Sequence, residues 1–295
     1  MNNLLSQYSK SYSQQSVEAS VKNILANHIL AFNAENLKKA FSLIDLTTLN
    51  TTDTNARALQ FCKNVNQLEH NYSFMPSVAA ICVFPSLVET VKKNLTKKRV
   101  KIASVAAGFP SSQTFISIKT AESSMAVDKG ADEVDIVISV GSFLENDYMT
   151  VFNEISLIKE SIGNAHLKVI LETGALKDPN IIKNASIIAI AAGADFIKTS
   201  TGKLNPAATL EAVFVMTEII KDYYNVTGRK IGIKPAGGIV TAQDAINYLS
   251  IVHFNLGDEW LNSELFRIGA SKLANNIIEE IIFLEKGIKE SVNYF

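Results

Sequence analysis

Three lysines lie inside short runs that otherwise consist of apolar and β-branched residues. Lys168 lies in LKVILE, Lys198 in DFIKTS and Lys234 in IGIKPAGG. Lysine is almost never fully buried without a partner. One such lysine at a strand end could extend its ammonium group to solvent. Three in successive runs instead favour a polar interior shared by neighbouring strands.

Alternation along a strand sets which neighbours share the interior with these lysines, since successive side chains point to opposite faces. An inward Lys198 places Phe196 inside and Ile197 outside. An inward Lys234 likewise places Gly232 inside. The isoleucines then face the surrounding helices, and only the lysines need a functional explanation.

Lys198 and Lys234 occur in consecutive runs, which predicts adjacent strands about 4.8 Å apart. Two ammonium groups held close together repel, so one of them loses its proton more readily. An ordinary lysine, with a pKa of about 10.4, is almost wholly protonated at neutral pH. A cationic neighbour and walls of low polarity favour a neutral amine, which can attack a carbonyl and form a Schiff base.

Carboxylates are the second unusual feature of the runs. Asp135 lies in the middle of DEVDIVI, Asp45 in LIDLT and Glu172 in ILET. A buried carboxylate needs a partner, and the lysines supply one. The alternatives are an ion pair that only neutralises the interior and general acid–base work beside a Schiff base. We assign acid–base work to Asp135 and ion pairing to Asp45.

Glycine-rich segments follow the last two runs. PAGGI spans residues 235–239, RIGAS spans 267–271, and TSTGK at 199–203 adds hydroxyl groups beside Lys198. Glycines let backbone N–H groups approach an anion, and barrels commonly bind phosphate after their seventh and eighth strands. The predicted phosphate-binding residues are Gly202, Lys203, Gly237, Gly238, Gly269, Ser271 and Lys272.

The elements that must position these residues repeat in one pattern from residue 41 onward, a short apolar run followed by a longer helical stretch. The eight runs are FSLIDLT, AAICVF, VKIASVAAG, EVDIVIS, LKVILET, DFIKTST, KIGIKPAGG and FRIGAS. Strands that alternate with helices form parallel sheets, and eight units suggest an α/β fold closed into a (β/α)₈ barrel. A doubly wound open sheet is the alternative, but no nucleotide-binding glycine motif follows the first run.

We predict two parts, an extension over residues 1–40 and a barrel domain over residues 41–295. Val17, Val21, Ile24, Leu25 and Ile29 recur at helical spacing in the extension. We expect this amphipathic helix to pack on the outside of the barrel; an oligomer contact is the alternative.

Composition excludes several classes of protein. Among 295 residues, 28 basic and 29 acidic side chains give a net charge of −1, which offers no electrostatic footprint for nucleic acid or an anionic membrane. No apolar run could span a bilayer. Cys62 and Cys82 are far apart, which fits a reducing cytoplasm. None of the four histidines pairs at metal-ligand spacing, so we expect neither metal nor cofactor.

Seven segments occur in order along the chain: IDLTTLN (44–50), AAICVFP (79–85), GADEVDIVI (130–138), LKVILETG (167–174), GADFIKTSTGK (193–203), KPAGGI (234–239) and FRIGAS (266–271). Together they resemble the deoxyribose-phosphate aldolases. SVAAGFP (104–110) and LGDEWL…ELFRIGAS resemble the longer, N-terminally extended members of that family. The resemblance implies a (β/α)₈ barrel that cleaves 2-deoxy-D-ribose 5-phosphate reversibly to D-glyceraldehyde 3-phosphate and acetaldehyde, with small-molecule partners only and a possible homo-oligomer.

The resemblance also implies roles for individual residues. Lys198 is the Schiff-base nucleophile, Lys234 its electrostatic activator, and Asp135 takes part in a proton relay through a water molecule. The supporting polar network is Asp45, Lys168 and Thr201.

Three positions depart from the family pattern. Val240 stands where arginine is common, Ala175 replaces a glutamate, and Lys272 replaces a hydroxyl residue. Val240 and Lys272 flank the predicted phosphate site, so Lys272 could supply the missing charge. The tail ends in SVNYF, where Tyr294 could reach the barrel mouth and donate a proton, or could belong to a frayed end.

Two other functions compete with this interpretation. A different Schiff-base barrel enzyme, such as a transaldolase, would share the lysine chemistry and differ in the donor. A non-catalytic barrel would have no need to keep Lys198, Lys234 and Asp135 together.

Overall fold

The computed structural model describes residues 1–295, except for the side chain of Asn2. Eight parallel strands form one sheet: β1 (Ile44–Thr47), β2 (Ala80–Val83), β3 (Lys101–Val105), β4 (Glu133–Val137), β5 (His166–Ile170), β6 (Phe196–Lys198), β7 (Gly232–Lys234) and β8 (Ile268–Ala270). β1 to β7 follow one another in space, and β8 pairs with β1. Parallel bridges from Ile233 to Phe266 and from Ala236 to Gly269 close the barrel. The predicted barrel is confirmed, and the open sheet is wrong.

In the described structure thirteen helices surround the strands; three precede β1 in the chain and ten follow it. They are α1 (Asn2–Ser6), α2 (Gln14–Asn27), α3 (Ala34–Ser42), α4 (Asn55–Asn71), α5 (Val88–Asn94), α6 (Ile116–Asp128), α7 (Val140–Leu144), α8 (Tyr148–Ser161), α9 (Thr173–Leu176), α10 (Pro179–Ala191), α11 (Leu210–Thr227), α12 (Ala242–Leu256) and α13 (Lys272–Lys286). Short 3₁₀ helices occupy Pro85–Leu87 and Asp258–Trp260.

The strand alternation places residues as the sequence predicts. Ile197 and Ile233 face outward into the main core between strands and helices. Phe196 lies inside the barrel, where its ring is 5.8 Å from Lys168 Nζ. A Cβ atom built on Gly232 would meet that ring at 2.3 Å, so Gly232 also faces inward. The barrel interior is therefore a separate compartment from the helix-packed core.

The interior divides into an apolar side and a charged side. β2 and β3 contribute a small cluster of Ala80, Cys82, Ala103 and Val105. Strands β1 and β4 to β7, together with Arg267 just before β8, contribute the ionisable residues described below. The apolar side has no groups that could pair with these charges. The ionisable residues must therefore form ion pairs with one another.

The N-terminal residues lie against the outside of the barrel helices. Helix α2 packs on α11 and α12 and buries Val17, Val21 and Ile24. Ile29 lies beyond the end of α2 and is 42% exposed, so its predicted place on the buried face is wrong. Helix α3, which packs on α12 and α13 just before β1, was not predicted from the sequence.

Candidate active site

A cavity of about 260 Å³ opens at the carboxyl ends of the strands. Segments following β1, β6, β7 and β8 line it: Thr47, Leu49, Asn50, Lys198, Thr201–Lys203, Ala236–Val240 and Gly269–Lys272. Parallel strands in a barrel all end at the same face, so loops distant in sequence converge there. The cavity therefore joins the predicted nucleophile to the predicted phosphate-binding segments.

Lys198 and Lys234 occupy matched positions on neighbouring strands, as their spacing predicts. Asp135 of β4 joins them, since its Oδ2 accepts hydrogen bonds from Lys198 Nζ and Lys234 Nζ, each at 2.7 Å. The three predicted catalytic residues thus form one contiguous group. Lys198 lines the cavity, whereas Asp135 and Lys234 lie behind it and are fully buried.

The two lysines differ in their tendency to lose a proton. Burial is the main cause that lowers the pKa of Lys198 below its ordinary value; Asp135 opposes this effect without cancelling it, and the charge on Lys234 lowers the pKa further. Burial also disfavours the charged form of Lys234, but Asp135 and Asp45 together raise its pKa above the ordinary value. Lys198 is therefore the member of the pair that more readily becomes a neutral amine.

Asp45 and Lys168 complete the group around Asp135. Asp45 Oδ2 lies 2.5 Å from Lys234 Nζ, and Lys168 Nζ lies 3.3 Å from Asp135 Oδ1. Burial opposes ionisation of Asp135, yet Lys168, Lys198 and Lys234 hold the pKa of its carboxyl well below the usual range. The pKa of Asp45 is lowered in the same way by Lys234 and Arg267 against the effect of burial.

Sequence reasoning missed two charged residues of this interior, Glu133 and Arg267. Arg267 Nη1 donates to Asp45 Oδ1 and Nη2 to Glu133 Oε1, both at 2.7 Å. Glu133 also accepts a hydrogen bond from Lys168. The available signal was the strand alternation, because Glu133 precedes Asp135 by two residues and Arg267 precedes Gly269 by two.

Thr201 makes no hydrogen bond to Lys168, Lys198 or Lys234 and instead anchors the loop after β6. Its Oγ1 donates to Glu172 Oε2 at 2.6 Å, and its backbone N–H donates to Glu172 Oε1 at 3.2 Å. Glu172 has φ of +55°, an uncommon conformation for a residue with a side chain. The end of β5 is thus shaped to hold the loop that carries Gly202 and Lys203.

The predicted phosphate-binding residues all line the cavity. A side chain at Gly237 would lie 2.7 Å from Ala207 Cβ, and φ is +85° there, so the close approach of this loop requires glycine. Lys203 Nζ donates to the backbone carbonyl of Leu49 at 2.5 Å. Lys272 begins α13, and Val240 is 40% exposed at the rim.

Tyr294 lies away from the cavity. Its hydroxyl donates to the carbonyl oxygen of Asn64 at 2.7 Å and accepts from Asn71 Nδ2 at 3.1 Å, both on α4. Its ring packs edge-on against Tyr72. The expectation that Tyr294 reaches the barrel mouth is wrong for this structure, because hydrogen bonds and aromatic packing hold the tail on the outer helices.

Within the part of the chain that the structure describes, no three histidine, cysteine, aspartate or glutamate side chains come together as a metal-binding group. Across those same residues, no helix combines the length and hydropathy needed to cross a membrane. Cys62 and Cys82 are both buried free thiols.

A polar cavity at the carboxyl ends of eight parallel strands is the architecture of (β/α)₈ barrel enzymes. A family model described as DeoC/LacD family aldolase matches residues 39–260. The chain therefore belongs to the DeoC/LacD family of aldolases.

Individual relatives are consistent with this family. A Caenorhabditis elegans protein provisionally named deoxyribose-phosphate aldolase is 44% identical over 252 residues, which cover 84% of this chain and 82% of the relative. Human deoxyribose-phosphate aldolase is 42% identical over 255 residues, covering 83% and 80%. A crystal structure of a provisionally named deoxyribose-phosphate aldolase from Toxoplasma gondii shares the fold, with a TM-score of 0.75 at 23% identity and coverage of 86% and 97%.

Proposed function

We propose that this protein cleaves 2-deoxy-D-ribose 5-phosphate reversibly to D-glyceraldehyde 3-phosphate and acetaldehyde, as a class I aldolase with Lys198 as its nucleophile. One observation carries the proposal. Of the three buried strand lysines, only Lys198 lines the cavity, and burial and the charge of Lys234 lower its pKa. A neutral amine exposed to substrate is what Schiff-base chemistry requires.

The reaction follows from this placement. The neutral amine of Lys198 adds to the C1 aldehyde of the open-chain sugar, and loss of water gives a protonated imine. This imine accepts the electron pair of the C2–C3 bond as that bond breaks and the C3 hydroxyl loses its proton. Glyceraldehyde 3-phosphate leaves, an enamine remains on Lys198, and protonation at C2 followed by hydrolysis releases acetaldehyde.

The neighbouring charges support these steps. Asp135, which lies 2.7 Å from Lys198 Nζ, moves protons between the substrate and the amine through a water molecule. Lys234 remains a cation and favours the neutral form of Lys198. The glycine-rich cavity end, with Lys203, Ser271 and Lys272 beside its backbone N–H groups, receives the 5-phosphate.

The same proposal extends to cellular role and assembly. We place the enzyme in deoxyribonucleotide catabolism in the cytoplasm, where its two cysteines would stay reduced. It needs no cofactor, because the Schiff base itself accepts the electrons of the broken bond. Association into a homo-oligomer is compatible with the family.

Borohydride trapping tests the nucleophile and the substrate together. Incubation with acetaldehyde and borohydride should add one ethyl group to the peptide that contains Lys198, and Lys198→Ala should abolish both the adduct and turnover. Lys230→Ala, which removes an exposed lysine, is the matched control and should leave both intact. Trapping and turnover that survive in Lys198→Ala would contradict the assignment. Trapping in the wild type without release of acetaldehyde from the sugar phosphate would indicate a different donor.

A further inference from the structure

Seven ionisable side chains form one connected group inside the barrel. Four can be cationic and three are carboxylates, and none is more than 3% exposed. They are Lys168, Lys198, Lys234, Arg267, Asp45, Glu133 and Asp135. If all were ionised, the group would carry one surplus positive charge. A surplus charge is costly in an interior of low polarity, so loss of one proton is favoured.

The contacts show which cation has the least support. Arg267 is paired with Asp45 and Glu133, and Lys234 with Asp45 and Asp135.

Lys168 is within ion-pair distance of all three carboxylates. Lys198 is paired with Asp135 alone. The proton that balances the charge therefore leaves most easily from Lys198, at the end of the group that lines the cavity.

We propose that Arg267 and Glu133 are positioning residues that set the protonation state of Lys198 through the charge balance of the barrel interior. The inference rests on the proposed function only in taking Lys198 as the nucleophile. Neither residue lines the cavity, so neither can touch substrate there. Arg267 is held from behind by the carbonyl of Ser263, and its guanidinium lies 5.8 Å from the centre of the Phe196 ring.

Other titratable groups also face this network. On the β2 side, burial raises the pKa of the Cys82 thiol, which keeps that residue neutral. β3 contributes Ala103 and Val105 to the interior, and Lys203 and Lys272 lie at the cavity rim.

At the opposite end, His166 Nδ1 lies 3.9 Å from Glu133 Oε1, with 39% of the histidine side chain exposed. Lys101 and Asp132 line a second cavity, which both Glu133 and His166 also line. These solvent-accessible groups are screened, whereas Arg267 and Glu133 are fully buried, so their charges act on Lys198 with little screening.

Two substitutions of opposite charge test the proposal. Arg267→Met removes a cation, leaves three lysines for three carboxylates, and should raise the pKa of Lys198 by about one pH unit. Glu133→Gln removes an anion and should lower it by a similar amount. The double variant restores the balance and should return the pKa to within about half a pH unit of the wild-type value.

The readout is competitive labelling with acetic anhydride followed by peptide mass spectrometry. Only the neutral amine reacts, so the pH dependence of labelling at Lys198 reports its pKa without any need for aldolase activity. Arg267→Lys keeps the charge but changes the shape and should give the wild-type profile. Arg99→Met, which removes an exposed arginine, should also leave it unchanged.

The outcomes separate a charge role from a structural one. Shifts in the same direction for Arg267→Met and Glu133→Gln, or a shift in Arg267→Lys equal to that in Arg267→Met, would overturn the proposal. If Arg267→Met or Glu133→Gln fails to fold, the double variant and Arg267→Lys decide the question. A labelling profile of Lys198 that is shifted by one pH unit or more in either of these two variants overturns the proposal. Wild-type profiles in both variants support it. Opposite shifts in a protein that does not cleave deoxyribose phosphate would uphold this proposal and refute the proposed function.

Discussion

Lys198 and Lys234 are the same residue type at matched positions on adjacent strands, yet their surroundings shift their pKa values in opposite directions. Both donate to one oxygen of Asp135. Lys234 has a second carboxylate in Asp45, whereas Lys198 faces the cavity. The different pKa shifts of these two lysines thus arise from the additional ion pair of Lys234 and from the position of Lys198 at the cavity.

Removing the cation at position 234 should make this difference measurable. In Lys234→Leu the repulsion on Lys198 is lost, so the pKa of Lys198 should rise by about 1–3 units. The neutral fraction then falls at neutral pH, and the acid limb of acetaldehyde trapping moves to higher pH. Trapping yields measured from pH 5 to 10 would show this shift. An unmoved acid limb in a folded Lys234→Leu variant would refute the activating role, and Lys230→Leu serves as an exposed control.

Strands β6 and β7 fit together because one inward residue is large and its neighbour has no side chain. A Cβ atom at position 232 would lie 2.3 Å from two atoms of the Phe196 ring. The ring also lies beside Lys168 and Arg267, each at 5.8 Å from its centre. It therefore cannot move without disturbing the charged interior.

Gly232→Ala should destabilise the protein by about 1–3 kcal/mol, because the added methyl group overpacks the interior. The midpoint of urea unfolding measures this. Gly141→Ala is the matched control, since a Cβ there meets its nearest neighbour, Gln113 Nε2, at an ordinary 3.8 Å and the site is helical. Equal midpoints for the two variants would show that the ring has room to move.

Helix α13 begins with a cation beside the cavity. Lys272 is its first residue, and the helix dipole disfavours a cation there by several tenths of a kcal/mol. A bound phosphate would remove that cost. Lys272→Ala should therefore raise KM for deoxyribose 5-phosphate about tenfold and leave turnover of unphosphorylated deoxyribose nearly unchanged.

Val240→Arg added to Lys272→Ala should restore part of the lost affinity, because position 240 lines the same cavity end. Steady-state kinetics with both sugars provide the comparison. Equal effects of Lys272→Ala on the two sugars would make Lys272 a structural residue, and the idea of charge compensation would have to be dropped.

At the scale of the whole molecule, the barrel is stabilised around a charged axis rather than an entirely apolar one. Asp45 links β1 to Lys234 of β7 and Arg267 just before β8, so it contributes to the closure of the barrel. Removing one partner from a buried charge pair leaves the other uncompensated. The stability of the fold should therefore depend on this carboxylate.

Asp45→Asn should lower the free energy of unfolding by about 3–5 kcal/mol at pH 7. Against the effect of burial, Lys234 and Arg267 hold the pKa of Asp45 below its ordinary value of 3.8 in the folded protein. Its stabilising contribution is thus complete above about pH 4 and is lost as pH falls below that value. Urea unfolding at several pH values should show that the difference in free energy of unfolding between wild type and Asp45→Asn becomes smaller below about pH 4. A difference that stays constant with pH would argue against a stabilising role of the ion pairs of Asp45. Asp128→Asn, at an exposed position, is the control and should show no such pH dependence.

The barrel, the paired lysines and the glycine-rich lining of the cavity could all be predicted from the sequence. Those features follow from strand alternation and from the rule that parallel strand ends meet at one face, and both are local or topological. The family resemblance added the roles that we propose for Lys198, Lys234 and Asp135. Only the tertiary structure revealed Arg267 and Glu133 as partners, since 134 residues separate them and pairing across a barrel depends on closure.

The positions of the termini also depend on tertiary packing. Tyr294 lies against α4. This position could not be predicted, because an aromatic hydroxyl in a tail carries no sequence signal for the surface that it will contact. Ile29 continues the helical spacing of α2 but lies beyond its end, since the helix ends at Asn27. Spacing predicts which residues share one face of a helix. The residue at which the helix ends and the long-range packing determine whether that face is buried.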